Sequence, residues 1–161
     1  MSGASAERLE LVFTRRPKPV PGDLRITWRL SLTLLALRYS RGHRASLAKL
    51  HMLNDALRSE PSKQKLSDMI DGKTPYVYWR MRVEPAFSRN LDFLVGEGFA
   101  NWMVSAGRTT VKLTAKGKEA AKTVDAANDA LQAERSFLST TGKKVTEGFV
   151  HSVIAAGNRL L

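Results

Sequence analysis

The sequence predicts a mainly helical α+β fold, and three observations predict it. Residues 85–123, PAFSRNLDFLVGEGFANWMVSAGRTTVKLTAKGKEAAKT, run in the order helix, glycine turn, strand, glycine turn, strand, helix. Elsewhere the apolar residues recur at helical spacing, most clearly at Leu47, Leu50, Leu53 and Leu57. The chain has 161 residues, 43% of them hydrophobic, enough to bury one sizeable core, so a single domain with appendages is expected.

Taken in order, Leu9, Leu11 and Phe13 alternate within residues 7–16 and predict a short strand. Pro17, Pro19 and Pro21 then form a stiff extended linker. Asp23 is placed to cap a helix. From Leu24 the pattern is double: Leu24, Ile26, Trp28, Leu30, Leu32 and Leu34 alternate like a strand, while Trp28, Leu32, Leu35 and Tyr39 have helical spacing. The run is long and ends at the breaker region of Ser40 and Gly42, which favours a helix. Ser46 precedes the Leu47 helix. Pro61 opens a short helix reaching about Asp71, with Gly72 as its stop. Residues 74–83, TPYVYWRMRV, are rich in aromatic and branched side chains and predict a strand.

In the Pro85 segment, Phe87, Leu91 and Leu94 form a helical stripe that Gly96 and Gly98 end. Ala106 and Gly107 turn between two strands, Val111 and Leu113 alternating with Thr110 and Lys112 in the second. Thr114 is placed to cap the next helix. This order is that of a winged helix, so the expected fold is a winged helix-turn-helix variant with a two-stranded wing. Additional N- and C-terminal elements flank it. Val124, Ala127, Leu131 and Leu138 continue the helical stripe, Gly142 interrupts it, and a last helix carries Val145, Phe149, Val153 and Ile154. The divisions are 1–22 for the strand and linker, 23–123 for the winged-helix domain, and 124–161 for a helical extension. That last helix either packs on its own domain or pairs with another subunit.

The net charge is +11, and its placement is uneven. Residues 27–58 hold six Lys or Arg against one acid and residues 99–123 hold five against one, whereas 59–98 and 124–161 balance. Local excess of this kind attracts nucleic acid, because neutralising each phosphate releases condensed counterion. A solvated basic face is the alternative.

The longest apolar stretches fall far short of the roughly 20 residues a membrane span requires. The N-terminus has no basic-then-apolar signal pattern and cysteine is absent, so a soluble cytoplasmic protein is expected. Without cysteine there is no disulfide, thiolate ligand or thiol nucleophile. His43, His51 and His151 lie in separate segments without metal-ligand spacing, and no glycine pattern forms a phosphate cradle. The expectation is a non-enzymatic protein with no cofactor and no metal.

Ser88-Arg89-Asn90-Leu91, Leu94 with Gly98-Phe99, Arg108, and Leu113-Thr114-Ala115-Lys116-Gly117 resemble the recognition helix, wing and following helix of MarR- and PadR-like transcription regulators. The resemblance implies base-facing Ser88, Arg89 and Asn90 and wing contacts from Arg108 and Lys112; Arg and Asn are the residues that read guanine and adenine bidentately. Lys116, Lys118, Arg44 and Lys49 complete the candidate DNA-binding set. SLAKLHMLNDALRS and RVEPAFSRNLDFLVGEGF also resemble the small winged-helix middle components of bacterial three-component ATPase systems. Their ATPases are similar to chromosome-maintenance or ABC-type proteins.

Two functional expectations follow. One is an adaptor in an anti-phage or plasmid-defence complex, contacting duplex DNA and an ATPase subunit, with Tyr76, Tyr78, Trp79, Phe149, Val153 and Leu160 as protein contacts. The other is a homodimeric DNA-binding transcription regulator.

Overall fold

The computed structural model describes residues 22–158. The expected strand 7–16, the proline linker and the Leu160 contact lie outside the described residues, as does the side chain of Asp23, the expected cap. The elements are α1 (Gly22–Arg38), β1 (Arg44–Ser46), α2 (Leu47–Ala56), α3 (Glu60–Ile70), α4 (Pro85–Gly96), β2 (Ala100–Ser105), β3 (Arg108–Leu113), α5 (Ala115–Ala126), α6 (Gln132–Thr141) and α7 (Glu147–Asn158). The described chain is thus mainly helical with a small antiparallel sheet of order β1-β3-β2.

Local chemistry sets most of these boundaries. The Ser46 hydroxyl accepts from the Lys49 amide at 3.1 Å and caps α2. Ser59 does the same for α3, whose first turn holds Pro61. Thr114 accepts from the Gly117 amide and donates to the Gly98 carbonyl at 2.6 Å, so one hydroxyl starts α5 and ties it to the end of α4. Ala106 and Gly107, with φ of 50° and 72°, make the β2–β3 turn. Two successive positive φ values match the right-handed twist of a two-residue hairpin.

The double pattern in α1 has a physical cause. Leu32, Leu34, Leu35, Ala36 and Leu37 are all buried, because this half of the helix is surrounded by α2, α4, α5, α6 and β3. A helix apolar on every side shows no single periodicity. Val111 and Leu113 of β3 join the same core, as do Leu91 and Leu94 of α4 and Leu138, Val145, Val150 and Val153 of the C-terminal segment. Asp125 fastens the helices together: it accepts from Tyr39 at 2.6 Å and Arg38 at 2.9 Å, with Arg135 3.4 Å away. Burial alone would raise its pKa, but these donors outweigh burial and hold it below the usual 3.8.

Two expectations need correction. Residues 74–83 form no strand; they make a 3₁₀ turn at Tyr76–Tyr78 and then run irregularly to α4. The third strand is Arg44–Ser46, which takes the free edge of β3 and is too short to show a period. The stripe from Val124 to Leu138 is not one helix either. It breaks after Ala126, and Leu131 sits at φ 57° before α6. Helix α5, which spans residues 123 and 124, packs along α1. Gly142 does end α6, for a reason of space. A Cβ there would lie 2.7 Å from the Leu138 carbonyl and 2.8 Å from that of Tyr39, so glycine lets this corner press against the end of α1.

Candidate nucleic-acid interface

Strand pleating divides the cations of the sheet from its core residues. Ala45, Val111 and Leu113 are buried, while Arg44, Arg108 and Lys112 are exposed. The register places Arg44 directly opposite Lys112. Like charges facing each other across two strands destabilise a sheet. Neither residue forms an ion pair among the described residues, nor do Arg41, Arg108 or Lys143. Several other cations are used structurally: Arg29 pairs with Glu84, Arg38 and Arg135 with Asp125, and Lys63 with Glu60.

Beside this face lies a cleft of about 360 Å³ lined by Arg41, Arg44, Lys49, Arg108, Lys143 and Glu147, with the hairpin turn at Ser105 and Ala106. Arg41 arrives on a turn whose Gly42 has φ 66°. Lys143 comes from the α6–α7 connection. Glu147, the carboxylate in the lining, accepts from the Ser46 amide at 2.9 Å. Lys49 is 4% exposed and donates to the Gly142 carbonyl at 3.0 Å. Burial lowers its pKa to about 8, against the opposing pull of Glu147 and with a smaller push from Arg41. The cleft therefore offers an anion several guanidinium and ammonium groups from three separate stretches of chain.

The expected contacts divide. Arg44 and Arg108 meet in the cleft, with Lys112 beside them on the sheet. Lys49 lies at its buried side and not on an exposed face. Lys116 donates to the Glu97 carbonyl at 2.7 Å and sits 4.6 Å over the Phe99 ring, so it locks the hairpin root. Lys118 is exposed on α5 outside the cleft, and Arg89 is exposed on α4. Ser88 is half-buried at an adjoining, mostly apolar hollow beside His51 and His151, which shares Arg108 and Glu147 with the cleft. Asn90, expected to face bases, is 7% exposed and turned inward, donating to the Thr33 hydroxyl at 2.8 Å.

The expected protein contacts are mostly internal. Trp79 and Val153 are buried, and Phe149 packs edge-to-face on Tyr76 with ring centroids 5.3 Å apart. Helix α7 thus folds back on its own domain, leaving Tyr78 exposed. Two of the cleft's cations, Arg41 and Lys143, were outside the main expected set. Arg41 stands in a basic segment that signalled it, whereas Lys143 belongs to the charge-balanced tail and had no signal. His51 is a core residue, edge-to-face with Phe87 at 5.1 Å, its pKa lowered by burial against the pull of Glu84. Among the described residues no three His, Asp or Glu side chains gather as a metal-binding group. No helix there is long and apolar enough to cross a membrane.

Comparison of the chain with family models, curated proteins and solved structures found no match.

Proposed function

We propose that this chain is a non-enzymatic winged-helix adaptor that contacts the backbone of duplex DNA through the cleft beside β3, the β2–β3 hairpin acting as the wing. The observation that carries the reading is the unrelieved pairing of Arg44 with Lys112 at the edge of a cleft where Arg41, Arg108 and Lys143 also converge. A phosphate backbone supplies the missing negative charge, and it does so whatever the base sequence.

Backbone contact is favoured over base reading by α4. Of the three side chains expected to face bases, Asn90 is turned into the core and Ser88 is half-buried, leaving Arg89 exposed. This weakens the support for a homodimeric regulator of the MarR or PadR kind, which requires a reading head. The adaptor reading includes a protein partner. The resemblance to middle components makes that partner an ATPase subunit of a bacterial cytoplasmic defence complex.

The test is duplex binding followed by fluorescence anisotropy over a range of salt, with two unrelated sequences. Replacing Arg108→Ala and Lys112→Ala together is expected to weaken both duplexes equally and to flatten the salt slope by about 1.8, roughly 0.9 for each phosphate no longer neutralised. An unchanged slope rejects the cleft as the DNA-binding face. A preference of about 10³-fold or more for one sequence, abolished in Arg89→Ala, restores the regulator.

A further inference from the structure

A second groove, of about 480 Å³, runs between α1 and α4 and is lined by Arg25, Ile26, Arg29, Ala86, Arg89, Asn90 and Phe93. On α4, Ala86, Arg89, Asn90 and Phe93 share one face by helical spacing. Ile26 is 52% and Phe93 48% exposed, so two large apolar side chains stand among three arginines.

Two polar atoms of lining residues, Oδ1 of Asn90 and Nη1 of Arg29, are buried behind the wall without a partner. The Asn90 amide is not free to turn round. The Thr33 hydroxyl donates to the Arg29 carbonyl at 2.9 Å, so toward Asn90 it can only accept, and it takes Nδ2 at 2.8 Å. Oδ1 is left as an acceptor needing a donor. The other arm of Arg29 is held by Glu84 at 3.0 Å, and Nη1 is left as a donor needing an acceptor. Both atoms are sealed beneath the groove wall, so they cost the fold stability and are not themselves contacts for an occupant; the occupant meets the exposed Arg25, Arg89, Ile26 and Phe93.

We propose that this groove docks an acidic amphipathic segment of a protein partner. The proposal deepens the adaptor reading and rests on its claim of a protein partner. Carboxylates of the segment pair with the exposed Arg25 and Arg89, and its apolar side chains cover Ile26 and Phe93. A DNA backbone matches this less well, since it has no apolar face to cover Ile26 and Phe93. A second copy of this surface brings three more arginines against the first three.

The experiment selects random helix-length peptides displayed on phage against the full chain, then measures the resynthesised winner by fluorescence anisotropy. Enriched peptides are expected to interleave carboxylates with apolar residues. Their affinity is expected to fall about tenfold in Phe93→Glu and in Arg89→Glu, the drop typical of a central contact. It is expected to be unaltered in Arg108→Ala with Lys112→Ala, which separates failure of the DNA cleft from failure of the groove. Circular dichroism establishes that each variant is folded, and Phe93→Ser is the fallback. The proposal is overturned by failure to enrich acidic peptides, by peptides that ignore Phe93 and Arg89, by displacement of the peptide with duplex DNA, or by a dimer in light scattering that Phe93→Glu dissolves.

Discussion

In the cleft beside β3, Arg41, Arg44, Lys49, Arg108 and Lys143 surround a space walled also by the hairpin turn, Thr110, Val145 and the start of α7. In the α1–α4 groove, arginines again line the wall, but the large apolar side chains of Ile26 and Phe93 stand exposed between them. Positive charge is common to the two regions and does not distinguish them. What lies between the charges does: a polyanion needs only cations within reach, whereas a protein segment also needs exposed apolar surface to cover.

The comparison breaks most completely where both regions share a support. Leu91 is fully buried on the inner face of α4, in the core that also holds Val111 of β3. Leu91→Ala is expected to destabilise the protein by about 2–5 kcal/mol in chemical denaturation and to weaken both sites together. Weakening of one site alone would mean that the two regions are supported independently.

A smaller effect sharpens the contrast through Lys49, which lines the cleft and not the groove. Its pKa of about 8 in the fold lies below the 10.5 of the free side chain. Between those values the unfolded chain binds more protons, so the fold gains stability as pH rises through that window. Over the same rise the cleft loses one positive charge. From pH 7 to 9 the DNA salt slope is expected to flatten by up to about 0.9, the equivalent of one phosphate. Lys49→Met is expected to abolish that dependence while leaving peptide binding at the groove unchanged. A slope equally pH-dependent in the variant would place the titrating group elsewhere.

The smallest effect tests the outer face of α4. Phe93 is half exposed, so Phe93→Ser is expected to shift stability by no more than about 0.5 kcal/mol in a urea titration. A larger shift would make Phe93 part of the core and remove it from the groove.

Much of the local structure was legible because it depends on neighbours in sequence. Ser46 and Thr114 cap helices through amides three residues on, Ala106-Gly107 turns, and Gly98 releases the chain from α4 with φ 78°. The aromatic run 75–83 misled because β-propensity reports how well a side chain fits a half-buried surface, not whether a strand partner exists. Here Trp79 is buried and Tyr76 packs on Phe149 without entering the sheet. Asn90 misled for a related reason. Its spacing fits either face of the boundary between core and solvent, and only the presence of Thr33 on α1 draws it inward.

By itself the sequence determined the mainly helical α+β class, the hairpin and its turn, most helix starts, and the two segments where positive charge is concentrated. Those depend on backbone preference, short-range hydrogen bonds and composition, all of which act along the chain. Tertiary structure alone decided that Arg44 faces Lys112, that Lys143 joins them from a charge-balanced tail, that α7 folds back to bury Val153, and that Arg29 and Asn90 share a groove. Each of these is a meeting of residues distant in sequence, and such meetings are chosen by how the buried faces of helices and sheet fill one core.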